Sequence, residues 1–263
     1  MMVTKIAVIG TVGVPANYGG FETLVENIIK QNSLDDIQYS VYCSSCAYKD
    51  KRWVYKGAKV VYIPLKANGI QSILYDIVSI CHAIFKADVL LVLGVSGCII
   101  LPLIRLFSRK NIIVNIDGLE HRRAKWSNYV RKFLKFSESL AVKYATHIIT
   151  DNKGIQDYVE KEYGKKSALI EYGGDHVICD TNDMEEEILG KYQLPENGYS
   201  LALCRIEPEN NVEMILRAFV ASGELLVFIG NWHNSEFGRR LKEEYETISN
   251  IKLLEPIYDI KVL

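Results

Sequence analysis

The chain has 263 residues, 49% of them hydrophobic, and a formal charge of −1. That length is enough for two domains with separate cores, and so even a charge balance gives no support to a nucleic-acid partner. Six cysteines without a paired framework, and a charged Lys5 ahead of only a short apolar run, predict reduced thiols, no N-terminal signal segment and a cytoplasmic setting.

Lys5-Ile6-Ala7-Val8-Ile9 reads as a buried parallel strand, and Leu24, Val25, Ile28 and Ile29 give helical spacing over Glu22–Lys30. Between them runs Gly10-Thr11-Val12-Gly13-Val14-Pro15-Ala16-Asn17-Tyr18-Gly19-Gly20-Phe21-Glu22. A helix opening at Gly19-Gly20 aims unpaired N–H groups and its positive dipole end into the crevice above a sheet, a seat for an anion such as phosphate. Three readings meet at this loop. A plain strand-to-helix turn needs no ligand. A dinucleotide fingerprint starts well at Gly10 and Gly13, but it has Ala16 at the third glycine place, and no acidic residue ends the second strand, Tyr39–Ser44, to hold a ribose. The Tyr-x-x-x-Lys from Tyr62 to Lys66 contains Pro64 and so is not on a catalytic helix. A nicotinamide-dependent sugar epimerase or dehydrogenase is disfavoured on those grounds. The third reading takes the loop with its Pro-x-x-Tyr-Gly-Gly-x-Glu tail.

That tail, within Gly13-Val14-Pro15-Ala16-Asn17-Tyr18-Gly19-Gly20-Phe21-Glu22-Thr23, resembles the N-terminal domain of bacterial rhamnosyltransferase-like enzymes. These belong to the family-4 (GT4) group of retaining glycosyltransferases with the GT-B fold. The resemblance implies an α/β, GT-B type architecture, two Rossmann-like parallel-sheet domains facing a cleft. Residues 1–175 would be the acceptor-side domain, and 176–263 a partial donor-binding domain. It also implies a nucleoside-diphosphate sugar as donor substrate, no metal and no other cofactor. Asn17, Tyr18, Gly19, Gly20 and Glu22 fall at the substrate.

Further along, strands are predicted over Ile37–Cys43 and Lys59–Ile63, then an amphipathic helix over Ser72–Phe85. A strand over Val89–Leu93, a helix over Ile99–Phe107, a strand over Ile112–Ile116 and a long helix over Asn128–Tyr144 follow. His147–Thr150 and Ala168–Ile170 are the last strands of the first half. The alternation marks a parallel sheet covered on both faces. Val89–Ile104 carries no charge, yet it is shorter than the ~20 residues of a membrane span, and Gly94-Val95-Ser96-Gly97 divides it. His82 and His147 lie within apolar patterns as core or edge residues. Cys43-x-x-Cys46 has no second pair at metal spacing and reads as neither zinc nor redox site.

Asn115-Ile116-Asp117-Gly118-Leu119-Glu120-His121-Arg122-Arg123-Ala124-Lys125-Trp126 leaves a strand's carboxyl end, where open α/β sheets bind ligands. Asp117 and Glu120 suit acid, base or hydroxyl-accepting roles, and His121 titrates near neutrality. On the bare pattern the same residues would also serve as a loop that solvates the strand end. The resemblance implies an Asp-Gly-Leu-Glu-aromatic-basic run beside the acceptor site, with His121 here in the aromatic place. Asp117, Glu120 and His121 are the candidate catalytic group. From Arg105 to Lys143 there are ten Lys/Arg against Asp117, Glu120 and Glu138, a local net of +7. The helix Asn128–Tyr144 sets Tyr129, Phe133, Phe136 and Leu140 among those cations. A solvated basic face and a contact with anionic lipid headgroups both fit. The resemblance implies a polyprenyl-linked or saccharide acceptor, met by peripheral contact at the inner membrane face.

Gly173-Gly174-Asp175 matches the place where such enzymes pass from the first domain to the second, so Gly174 and Asp175 join the substrate-binding set. Asp180–Glu187 reads as linker and helix start. Tyr199–Cys204, Leu225–Ile229 and Ile251–Leu254 are predicted strands, alternating with helices over Val212–Phe219 and Ser235–Glu246. The resemblance sets Arg205 on the donor diphosphate, with Asn210 where a lysine is common. No Glu pair at the family's Glu-x7-Glu spacing follows a suitable later strand, and about eighty residues fall short of the ~100–150 of a complete domain, so the second domain is expected to be incomplete. The activity implied is transfer of a sugar, rhamnose, with retention, in assembly of a cell-surface polysaccharide such as capsule. The alternative is a nucleotide-binding module, or an inactive transferase fragment, without turnover.

Overall fold

The computed structural model describes residues 3–16, 19–123, 126–175, 178, 185–257, 259 and 262. Asn17 and Tyr18 of the glycine loop, Lys125 and most of the expected linker lie outside these residues. The chain divides into two compact units, Met1–Gly173 and Gly174–Leu263.

The first unit is built on β1 (Thr4–Ile9), β2 (Ile37–Ser44), β3 (Val54–Tyr55), β4 (Ala58–Ile63), β5 (Val89–Leu93), β6 (Asn111–Ile116), β7 (His147–Thr150) and β8 (Ala168–Leu169). They form one sheet in the order β3-β4-β2-β1-β5-β6-β7-β8. All pairs are parallel except the short β3–β4 hairpin, which the sequence pattern does not reveal. Its helices are α1 (Gly20–Lys30), α2 (Gln71–Ala83), α3 (Leu101–Phe107), α4 (Asn128–Tyr144) and α5 (Lys153–Tyr163).

Side-chain alternation along β1 sorts these helices to two faces. Val8 packs with Val25 and Ile29 of α1, and with Val41 and Val60 of the neighbouring strands. Ala7 and Ile9 point the other way, into a cluster with Ile80 of α2, Leu101 of α3, Ala141 of α4 and Val159 of α5. Helices on both faces are what right-handed crossovers from a central strand produce. The helix predicted over Ile99–Phe107 begins as a 3-10 turn, Cys98–Ile100, before α3. The helix α5 has no counterpart in the expectations. Asn152 caps it by accepting from Ile155 N at 2.9 Å, and Gly164 stops it at φ +62°. His82 bonds the Tyr42 hydroxyl at 2.7 Å, and His147 is exposed at the start of β7.

The second unit contains α6 (Glu185–Tyr192), β9 (Tyr199–Leu203), α7 (Val212–Ser222), β10 (Leu225–Ile229), α8 (Glu236–Tyr245) and β11 (Ile251–Leu254). Its parallel sheet runs β11-β10-β9. Leu226, Phe228 and Ile251 pack against Leu216 of α7, Leu241 and Tyr245 of α8, and the fully buried Trp232. The five cysteines among the described residues are unpaired. No helix among the described residues is long and apolar enough to cross a membrane.

Candidate functional site

The glycine loop joins β1 to α1 and is tied down by the helix it feeds. Glu22, in the first turn of α1, is buried and accepts from Thr11 Oγ1 at 2.7 Å and from Val12 N at 2.6 Å. One turn on, Glu26 accepts from Ala16 N at 2.7 Å. Against the burial that would raise it, the bonds from Ala16 N–H, Lys56 and Tyr55 hold the Glu26 carboxyl below its ordinary value. Glu22 therefore serves the loop's own backbone. The glycines divide in purpose. At Gly10, φ +93°, a Cβ would lie 2.0 Å from the Leu93 carbonyl oxygen, so its smallness is required by β5. At Gly20 a Cβ would meet nothing within 4 Å, leaving the start of α1 open to approach.

In the sheet order, the loops after β1, β5 and β6 emerge side by side at the strands' carboxyl ends. Asp117 leaves β6 there. Burial first, then the Glu120 carboxylate, push its carboxyl up to about 6, with Arg123 pulling the other way. Glu120 pairs with Arg123 at 2.8 Å, and Trp126 Nε1 lies 3.5 Å from its second oxygen. A cavity of about 40 Å³ beside Glu120 is lined by Ile70, Ile73, Ser96, Trp126, Val130 and Leu134.

His121 is held from beneath. Its Nδ1 lies 3.1 Å from Glu138 Oε2, and its backbone carbonyl accepts from Arg131 Nε at 2.8 Å. Glu138 is fully buried on α4, and its other oxygen accepts from Tyr158 Oη at 2.7 Å and Tyr163 Oη at 2.5 Å, both on α5. Burial, and then the Glu138 carboxylate, keep the Tyr163 hydroxyl protonated far above its ordinary range. Lys135 reaches both Tyr158 and Glu138. A carboxylate only accepts, so His121 Nδ1 carries the proton toward Glu138 and Nε2 is left to define the ring's chemistry.

Asn115, at the end of β6, donates to Tyr172 Oη at 3.2 Å. Its Oδ1 is buried and has no partner among the described residues, an open acceptor beside Asp117. Asn115, Glu138, Tyr158 and Tyr163 are absent from the sequence-derived set. For Glu138 a signal existed. It falls on the inward row of α4 between Leu134 and Ala141, where a carboxylate needs partners.

The remaining residues belong to the second unit. Gly174 and Asp175 open it, exposed. Arg205 follows β9 with an exposed side chain, and its carbonyl accepts from Asn210 Nδ2 at 2.7 Å and from Glu207 N at 2.9 Å. Asn211, at φ +56°, turns the chain into α7. Arg205 and Asn210 are thus joined locally, while in the first unit Asp117 interacts with Glu120 and the His121 ring turns to Glu138.

Solved structures share this architecture. A sucrose-phosphate synthase from Thermosynechococcus elongatus aligns at TM-score 0.75 and 13% identity, covering 98% of this chain and 71% of its own. The Anabaena Alr3699/HepE structure in complex with UDP-glucose aligns at 0.71 and 10%, covering 98% and 70%. A UDP-N-acetylglucosamine 2-epimerase from Rickettsia bellii aligns at 0.60 and 16%, covering 99% and 70%. No curated protein sequence matches the chain. The protein thus has an α/β fold of the GT-B, glycosyltransferase-like type. By sequence it belongs to the family described as "Domain of unknown function (DUF1972)", whose model matches residues 3–175.

Proposed function

We propose that this chain acts on nucleotide sugars as a glycosyltransferase. The observation that carries the reading is the loop after β6. Asp117 and Glu120 interact in the loop at the carboxyl end of a parallel sheet, and His121, next in that loop, is fixed by a buried carboxylate. The fold adds to it, since Anabaena Alr3699/HepE, with the same architecture, binds UDP-glucose. In this reading residues 1–175 are the acceptor-side domain and the later residues bind the donor. Asp117, Glu120 and His121 receive and orient the acceptor hydroxyl. Arg205 and Asn210 hold the donor diphosphate, a charge-assisted contact at the start of a helix. Asn17, Tyr18, Gly19, Gly20, Gly174 and Asp175 complete the substrate contacts, and Glu22 shapes the loop that presents them. Following the resemblance, the sugar is rhamnose, transferred with retention as the donor's own phosphate oxygen assists the acceptor hydroxyl. The acceptor is polyprenyl-linked or a saccharide, met by peripheral contact at the inner membrane face, in cell-surface polysaccharide assembly.

The test is titration calorimetry with nucleotide sugars followed by a transfer assay. Arg205→Ala is expected to weaken donor binding about 10- to 100-fold; unchanged affinity would remove Arg205 from the site. Because an epimerase shares the fold, conversion of a nucleotide sugar to its epimer without release of nucleoside diphosphate would establish that second reading instead.

A further inference from the structure

Three helices on the same face of the eight-stranded sheet share one surface chemistry. From the cap of α2 onward, Ile70, Leu74 and Val78 recur every four residues and are all exposed. On α3, Leu103, Leu106 and Phe107 face outward, the last two 75% and 82% exposed. Phe85, 81% exposed, follows α2, and Tyr129 and Phe136 project from α4. Single apolar side chains on a surface need no explanation, but a face of them across neighbouring helices does.

The accompanying charge is mostly of one sign. Over residues 70–88, 98–110 and 127–145 the carboxylates are Asp76 and Glu138, both buried, and Asp88, exposed, which accepts from Lys5 N at 2.8 Å. Lys86, Arg109, Lys132 and Lys143 are exposed. A second copy of this face would bring four exposed cations against four, with only Asp88 to meet them. A nucleic acid would leave the aliphatic rows uncovered. An anionic bilayer supplies the missing negative charge and accepts apolar side chains below its headgroups.

We propose that the outer face of α2, α3 and α4 is a docking surface for an anionic lipid bilayer. Leu106, Phe107, Phe85 and the α2 row enter the interfacial layer, and the four cations stand among the headgroup phosphates. The cavity beside Glu120, between the N-terminal ends of α2 and α4, then opens at the rim of the docked face. An acceptor with an apolar tail could stay in the bilayer while its head group reaches Glu120. This last consequence rests on the acceptor reading above; the docking itself does not.

The experiment is sedimentation of the whole chain with vesicles of mixed phosphatidylglycerol and phosphatidylcholine, and of phosphatidylcholine alone, without nucleotide sugar. The wild type is expected to sediment with the anionic vesicles, less with the neutral ones, and less as salt rises. Lys132→Glu/Lys143→Glu should weaken binding by about fivefold or more per cation. Leu106→Ser/Phe107→Ser should weaken it about tenfold or more. All four sites are exposed, so an unchanged thermal midpoint shows the fold intact. Failure of the wild type to bind anionic vesicles, or variants that sediment like it, would overturn the proposal. So would a dimer, seen by analytical ultracentrifugation, that these variants abolish while vesicles remain unbound. Either result leaves the nucleotide-sugar reading standing, because no donor enters the experiment.

Discussion

The carboxylate of Glu138 has no exposed surface, yet it collects hydrogen bonds from two tyrosines, a lysine and His121. Burying a carboxylate is costly unless its lone pairs are filled, and here donors from α4, α5 and the site loop fill them. Removing the acceptor leaves four buried or half-buried donors without it. Glu138→Ala is therefore expected to cost about 3–5 kcal/mol, read by urea denaturation. A loss below about 1 kcal/mol, the size of a surface change, would show that the network does not hold the loop. Glu22 applies the same physics at the glycine loop, where its two short bonds fix Thr11 and Val12. In both places an acidic residue that reads as a substrate contact or a charged face on the sequence is part of the scaffold that positions the site.

At the scale of elements, α2 carries a third buried carboxyl. Asp76 faces the loop after β5 so closely that a Cβ on Gly97 would lie 2.3 Å from its own Cβ. Burial pushes Asp76 up to about 7, with the Ser96 hydrogen bond acting in the opposite direction. A carboxyl raised in the folded state adds stability that is complete below its unfolded value, near 4, and is lost as pH rises through about 7. Asp76→Asn removes that dependence. The variant is expected to exceed the wild type by a few kcal/mol at pH 8, on the order the shift allows, with the gap closing toward pH 4. A gap that does not change with pH would show that Asp76 is solvated and ionised throughout. Local periodicity made β1, β5, β7, α4, β10 and β11 legible, because each buries its own apolar residues in a regular row. The helix α5 stayed hidden because only Ile155 and Val159 are buried in a charged segment, although Asn152 and Gly164 mark its ends. The partners of Glu138 stayed hidden with it, since Tyr158 and Tyr163 sit on that helix. Asn115 was unreadable for another reason: whether a strand-end amide is paired depends on Tyr172, 57 residues away.

At the scale of the whole molecule, the family match covers residues 3–175 and carries no activity in its description, while the structural likeness extends over both units. Fold alone hosts many chemistries, so the assignment stands or falls on the sites. The first unit brings a strand-end loop with carboxylates and an oriented imidazole; the second brings Arg205 beside the start of a helix. In the proposed reading those parts receive the acceptor and the donor, and the requirement common to every version of the account is a bound nucleotide sugar. The measurement that tests it most directly is a thermal-shift panel of nucleoside-diphosphate sugars on the intact chain and on Arg205→Ala. The expected result is a rise of about 3 °C or more from one donor at saturating concentration, absent or much reduced in the variant. A cooperative transition that no nucleotide sugar moves in the wild type would contradict the account.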